Sequence, residues 1–207
     1  FSSVDKPLKT ILVTSAGPME GKNTTIANLA VIFAQCGSKV LLIDTDLRKP
    51  MLHKVFLLLN ERGLTNLLAL QKDSTTFIQH DVLKNLDVLT SGRIPPNPSE
   101  LLSSNAMKNF IENIKNNYDI VLMDSPPVGS VTDASIISTY VDGTILVVKS
   151  GRTEVETVKR AKELLEKINA NIIGVVLNNI NKKQIGYSYY PYYYYSDDEE
   201  KKRKRKH

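Results

Sequence analysis

The eleven residues "SAGPMEGKNTT" (15–25) bring together the residue types that can hold a phosphate. A small residue, Ala16, is followed by four others and then by Gly21-Lys22. Backbone N–H groups of residues 17 to 24, Pro18 excepted, would point inward, aided by the positive end of the following helix. Gly17, Pro18, Met19, Glu20, Gly21, Lys22, Asn23 and Thr24 are therefore the candidate phosphate-binding residues. Lys22 would reach the β- and γ-phosphates of a nucleotide. Gly21 is needed where the backbone approaches the anion closely, because a Cβ would obstruct it. One slot is irregular. A Ser or Thr hydroxyl that holds Mg²⁺ is expected directly after the lysine, and Asn23 stands there instead. An amide oxygen can ligate magnesium but extends one bond further, so weakened Mg²⁺ binding is expected. Thr24 cannot substitute, since the next helical position is rotated by about 100°.

Two further segments supply carboxylates. "VLLIDTDLRKP" carries Asp44 and Asp46, which share a face if the strand continues through both. "IVLMDSPP" ends an apolar run at Asp124, and Pro126 and Pro127 then stop it. Beside a phosphate loop, such acids orient Mg²⁺ or take a proton from an attacking hydroxyl. Asn178, in "VVLNN", is a further polar residue at the end of an apolar run.

Elements must exist to bring these residues together. Apolar runs at 9–15, 39–45, 86–92, 119–125, 143–150 and 171–179 read as strands, and their lack of alternation predicts cover on both faces. Helices are predicted at 22–36, about 62–70, 74–80, 99–116, 132–139 and 153–168. The last shows Thr153 and Glu156 at capping-box spacing, and Ser99 reads as a helix N-cap. Strands alternating with helices imply an α/β fold, P-loop NTPase-like, with a mostly parallel sheet and helices on both faces. Ligands in such folds bind at the carboxyl ends of the strands, where residues 15, 45 and 125 fall.

Composition narrows the classes. The chain has 207 residues, 42% of them hydrophobic, enough for one full core. The net charge of +5 is uneven: residues 196–207 hold four acids and six bases, leaving +3 for the rest. The folded part is only mildly basic, which argues against a nucleic-acid groove. The single Cys36 excludes an internal disulfide and a thiolate metal site, and it is expected to be a buried thiol. No apolar run approaches the ~20 residues that span a bilayer, so a cytoplasmic protein is expected. His53, His80 and His207 have no paired metal spacing. Residues 1–183 read as one ATP-binding domain. Residues 184–207, "QIGYSYYPYYYYSDDEEKKRKRKH", lack periodicity and read as a disordered tail.

The loop at 15–25, "LLIDTDLRKP", "LTSGRIPPNPSELLSS", "DIVLMDSPPVGSVTDA" and the tyrosine cluster together resemble the bacterial tyrosine kinases of capsule and exopolysaccharide production, over nearly the whole chain. The resemblance implies ATP-Mg²⁺-dependent phosphorylation of protein tyrosines. The enzyme's own Tyr187, Tyr189, Tyr190, Tyr192, Tyr193, Tyr194 and Tyr195 would be among them. It gives Lys22 the phosphates, gives Asp44, Asp46 and Asp124 the metal and the acceptor hydroxyl, and puts Asn178 near adenine; Asn23, Asp44 and Asp124 form the metal set. It further implies a separate membrane-spanning activator that holds the kinase at the inner face of the membrane, and a tyrosine phosphatase that reverses the modification. The family's ring-forming helix with Glu and Arg residues would precede "FSSVDKP", where this sequence opens, so a homo-oligomeric ring is left open. Two other readings share the motifs. One is a MinD/ParA-like ATPase, disfavoured by Gly17 at the position of that group's signature lysine. The other is a nucleotide-binding adaptor with catalysis weakened through Asn23.

Overall fold

The computed structural model describes residues 8–70 and 76–180. The tail at 184–207, with its seven tyrosines, lies outside the described residues, as do residues 74 and 75 of the helix expected at 74–80.

Among the described residues seven strands form one sheet: β1 (Thr10–Ser15), β2 (Val40–Asp44), β3 (Gln79–Leu83), β4 (Leu86–Leu89), β5 (Ile120–Asp124), β6 (Gly143–Lys149) and β7 (Ile172–Asn178). Their order across the sheet is β3-β4-β2-β5-β1-β6-β7. All neighbours run parallel except β3 and β4, which pair antiparallel at one edge. The expected α/β class and mostly parallel sheet are observed.

Among the described residues seven helices cover the sheet: α1 (Lys22–Gln35), α2 (Leu52–Val55), α3 (Leu64–Leu70), α4 (Pro98–Ser103), α5 (Asn105–Ile114), α6 (Asp133–Ser138) and α7 (Val155–Glu166). Ile11, Val13, Leu42, Leu122 and Val147 pack with Ile26, Ala30 and Ala34 of α1 and Leu52 of α2. The alternate strand residues Leu12, Leu41, Ile43, Val121 and Met123 pack against α3 to α6 on the other face. Leu146 and Val148 meet Ala161 and Leu165 of α7. Both faces are dry over β1, β2, β4 and β5, which is why those strands read as continuous apolar runs, whereas the edge strand β7 leaves Val175 and Leu177 exposed.

Several local expectations were overturned, each for a physical reason. The region expected to be helical through residue 80 enters β3, a short, half-exposed hairpin partner of β4. Its "QHDVL" alternates weakly and looked like helix because the pairing that makes it a strand is tertiary. The single helix expected at 99–116 is two, broken at Ser104, whose side chain caps α5 by accepting from the Met107 N–H at 3.2 Å. Ser99 is not an N-cap; Asn97 occupies that position and Ser99 turns its hydroxyl to Asp133. Thr153 does not cap α7 either, since Glu154 is the residue at the cap. Cys36 is exposed rather than buried. It follows the last turn of α1, and two residues beyond Ala34 is about 200° around the helix from the buried stripe.

Candidate active site

β2, β5 and β1 lie side by side at the centre of the sheet, so their carboxyl ends form one floor. Asp44 stands directly opposite Asp124 in the β2–β5 register, and Val13 of β1 is level with Asp124 on its other side. Two residues later β1 ends at Ser15 and the chain enters the phosphate loop. Residues 80 positions apart in sequence are thus placed on adjacent strands beneath one loop.

The loop is shaped by two left-handed residues, Met19 (φ 59°) and Gly21 (φ 86°), on either side of Glu20. Alternation of this kind turns successive N–H groups toward one point and makes an anion-binding concavity. A left-handed methionine costs about 1–2 kcal/mol. Gly21 has a second constraint: a Cβ there would sit 2.0 Å from Asn178 Nδ2. α1 starts at Lys22, so its positive end faces the same concavity. Pro18 and Met19 are exposed at the tip, and Thr24 is exposed on the first turn of α1.

Lys22 is buried, and its Nζ lies 2.6 Å from each oxygen of Asp124 and 2.8 Å from Asn23 Oδ1. The ammonium therefore rests on the carboxylate floor. Asp124 is wholly buried, and its backbone carbonyl accepts from the N–H and hydroxyl of Thr45. Burial raises the Asp124 carboxyl, to about 6, against the lowering effect of Lys22. Burial and then the Asp124 charge raise the Asp44 carboxyl, to about 7. The structure sets both acids where one sign of charge is crowded.

Asp44 and Asp46 do not share a strand face as expected, because β2 ends at Asp44. The chain turns there: Asp44 Oδ1 accepts from the Asp46 N–H at 3.2 Å, and Oδ2 from the Met51 and Leu52 N–H groups at 3.1 and 3.0 Å. Asp44 thus holds the start of α2. Asp46 Oδ1 accepts from the Arg48 and Lys49 N–H groups, folding the loop back on itself. Of the three aspartates Asp46 is the only one with measurable exposure, 7% against 0% for the others.

The donor set suits a hard divalent cation. It consists of carboxylate and amide oxygens, two of them raised carboxyls whose charges want a counter-ion, with the Lys22 ammonium standing where positive charge is favoured. Among the described residues no three His, Cys, Asp or Glu side chains make a ready metal cage.

Comparison with known proteins decides the family. The AAA domain family model matches residues 9–180. The tyrosine-protein kinase YwqD of Bacillus subtilis (strain 168) is 48% identical over 191 residues, covering 92% of this chain and 81% of that protein. The crystal structure of the chimerical protein CapA2B2 superposes with a TM-score of 0.83 at 44% identity, covering 86% of this chain and 79% of the other. This chain belongs to the bacterial tyrosine-protein kinases. The cell division ATPase MinD of Pyrococcus furiosus is more distant, with a TM-score of 0.69 at 26% identity over 82% of this chain and 71% of that one. The MinD-like reading thus describes a relative of the kinase in fold, not its activity.

Sequence reasoning missed the part that Asp133, Ser99 and Thr153 play around the loop. Asp133, wholly buried, binds Arg48 Nε and Nη2 at 2.8 and 3.1 Å and accepts from Ser99 Oγ at 2.7 Å. The turn after Asp46 is thereby moored to α6 and α4. Thr153 donates to Glu20 at 2.7 Å. The one available signal was the cluster of Arg48 and Lys49 after the aspartates, which sequence alone could not pair. Asn178, at the end of β7, donates from Nδ2 to the Glu20 carbonyl at 2.8 Å and closes the loop from that side.

Proposed function

We propose that this kinase transfers the γ-phosphoryl group of ATP to tyrosine hydroxyls, those of its own residues 187–195 included, and that this controls capsular or extracellular polysaccharide synthesis. The observation that carries the reading is the buried pair Asp44 and Asp124, in register at the foot of a preshaped phosphate loop with Lys22 between loop and floor. Loop N–H groups and Lys22 hold the phosphates. Lys22 leaves Asp124 for the β- and γ-phosphates, and Asp44, Asp124 and Asn23 are the residues that would hold Mg²⁺. The ion, when bound, neutralises charge on the transferring phosphates. Asp46, the most exposed of the three acids, meets the acceptor hydroxyl. The tyrosine oxygen bonds to the γ-phosphorus, the bond to the ADP oxygen breaks, and the hydroxyl proton passes to the carboxylate.

The other roles follow the same reading. A separate membrane-spanning activator contributes a cytoplasmic segment and keeps the kinase at the membrane; among the described residues no helix is long and apolar enough to cross a bilayer. A tyrosine phosphatase reverses the modification. Each phosphate adds roughly −1.5 to −2 charges, so a modified cluster repels its neighbours and loosens any ring of copies.

One observation favours a weaker enzyme: the Asn23 amide oxygen is already occupied by Lys22. In the limit this gives a nucleotide-binding adaptor. Mass spectrometry of residues 184–207 after incubation with ATP, Mg²⁺ and activator separates the two. Phosphotyrosine at 187–195, absent from Lys22→Met, is expected for the kinase; an unmodified tail in a protein that binds ATP would favour the adaptor.

A further inference from the structure

Glu20 sits inside the phosphate loop yet turns its side chain away from the place of an anion. It is 5% exposed, and its three acceptor oxygens all have partners. Oε2 accepts from the Ala16 N–H at 3.1 Å, at the very start of the loop. Oε1 accepts from Thr153 Oγ1 at 2.7 Å, across from the β6–α7 turn. The backbone carbonyl accepts from Asn178 Nδ2 at 2.8 Å, at the end of β7. The carboxylate is folded under the loop, close enough that a Cβ on Gly17 would lie 3.3 Å from Oε1. Thr153 is itself held, since its hydroxyl accepts from the Lys149 N–H at 3.2 Å and its own N–H donates to the Lys149 carbonyl at 3.1 Å.

The placement of these bonds matters as much as their number. Glu20 lies between the two left-handed residues, Met19 and Gly21, so it is the point at which the loop would relax. Met19 is 73% exposed, so burial of its own side chain does little to hold that left-handed conformation. Such strain persists only where surrounding structure over-determines it. Here that structure is Glu20, tied at one point within the loop and at two outside it.

We infer that Thr153 and Glu20 form a latch that presets the phosphate loop, making Thr153 a positioning residue for nucleotide binding although it touches no phosphate. The inference rests on the reading that this loop holds ATP phosphates. Without the latch, the loop populates its binding shape for only part of the time, and apparent affinity falls by that fraction. Loss of one hydrogen bond to a buried carboxylate, at the low end of its usual worth, corresponds to about tenfold in affinity.

The test uses the 207-residue chain and ADP as the probe, with titration calorimetry for affinity, thermal unfolding for stability and hydrogen exchange for the amides of 16, 17 and 19–21. Thr153→Val, which removes the hydroxyl at nearly constant volume, is expected to weaken ADP binding about tenfold. The loop amides should exchange faster in the nucleotide-free protein. Thr153→Ser keeps the hydroxyl and is expected to restore both. A purely structural role would lower the unfolding temperature of Thr153→Val and leave ADP affinity and loop exchange as in the wild type, which overturns the latch. If Thr153→Val fails to fold, Thr153→Ser against Thr153→Ala gives the same comparison. Wild-type protein that binds no ADP overturns the nucleotide reading and the latch with it; wild type and Thr153→Val binding ADP equally overturn the latch alone.

Discussion

Asn23→Ser is the substitution that asks most of this site. Lys22 Nζ has three acceptors in the resting protein, two on Asp124 at 2.6 Å and one on Asn23 at 2.8 Å. To serve a nucleotide it must leave all three, and Asn23 must also surrender its oxygen if it is to bind metal. A hydrogen bond to a charged group contributes about 1.5–3 kcal/mol, and the lower end applies because Lys22 keeps its bonds to Asp124 and Asn23 is only partly buried. Serine removes that restraint and presents a hydroxyl one bond nearer the backbone. About 1.5 kcal/mol corresponds to roughly a tenfold lower half-saturating Mg²⁺ concentration. The resting protein should lose stability in return, about 3–6 °C in unfolding temperature for a domain of this size. The assay is tail phosphorylation at saturating ATP across a Mg²⁺ titration, with Asn23→Ala in parallel. Alanine frees Lys22 without supplying a ligand, so it should tighten metal-free ADP binding yet leave the Mg²⁺ requirement high. An Asn23→Ser protein that needs as much Mg²⁺ as the wild type, or is slower at every concentration, would refute the reasoning and show a loop adapted to the amide.

Lys22→Met should abolish tail labelling and leave Asp124 without its cation; undiminished labelling in a gel or mass-spectrometric assay would sink the kinase reading of this lysine. Gly21→Ala should cost about 1–2 kcal/mol from the left-handed backbone alone. The clash with Asn178 adds to this, so chemical denaturation should show a smaller loss in an Asn178→Gly background. Arg48→Ala leaves the buried Asp133 with Ser99 only, and about 2–3 kcal/mol of destabilisation is expected; Asp133→Asn in the same chain should recover part of it, and simple additivity would argue against the pairing. Asp44 and Asp124 are raised in the folded protein, to about 7 and about 6, from 3.8. The folded state therefore binds more protons than the unfolded state between about pH 4 and pH 7, so metal-free stability is fullest below that window and falls as pH rises through it. Added Mg²⁺ should offset the loss near pH 7–8, and a flat metal-free profile in thermal unfolding would contradict the crowded floor.

How much of the site was legible depended on whether a residue's partner was near in sequence. The loop, Lys22 and the strand-end aspartates could be read because each lies beside its own apolar run, and a parallel sheet puts such ends on one edge. The mooring of Arg48 to Asp133 and Ser99 could not, since its members are 85 and 51 positions apart and none has unusual neighbours. Ser99 and Thr153 each stood at good capping positions, and the structure spent both hydroxyls on buried carboxylates instead. Local hydrogen bonding gives way where a buried acid would otherwise be left unpaired. Helix 99–116 broke for a related reason, with Ser104 able to cap a second start.

The sequence by itself determined the class of fold, through runs too apolar for anything but strands covered on both sides. It also determined the chemistry available, through a glycine-lysine loop and three aspartates. Tertiary structure decided how those groups stand. Strand order brought Asp44 level with Asp124, the end of β2 parted Asp44 from Asp46, and Glu20 was bound to Thr153 and Asn178 beneath the loop. The physical reason is the same in each case. Periodicity records which face of an element is dry, whereas the pairing of buried polar groups depends on distances that exist only once the sheet has closed.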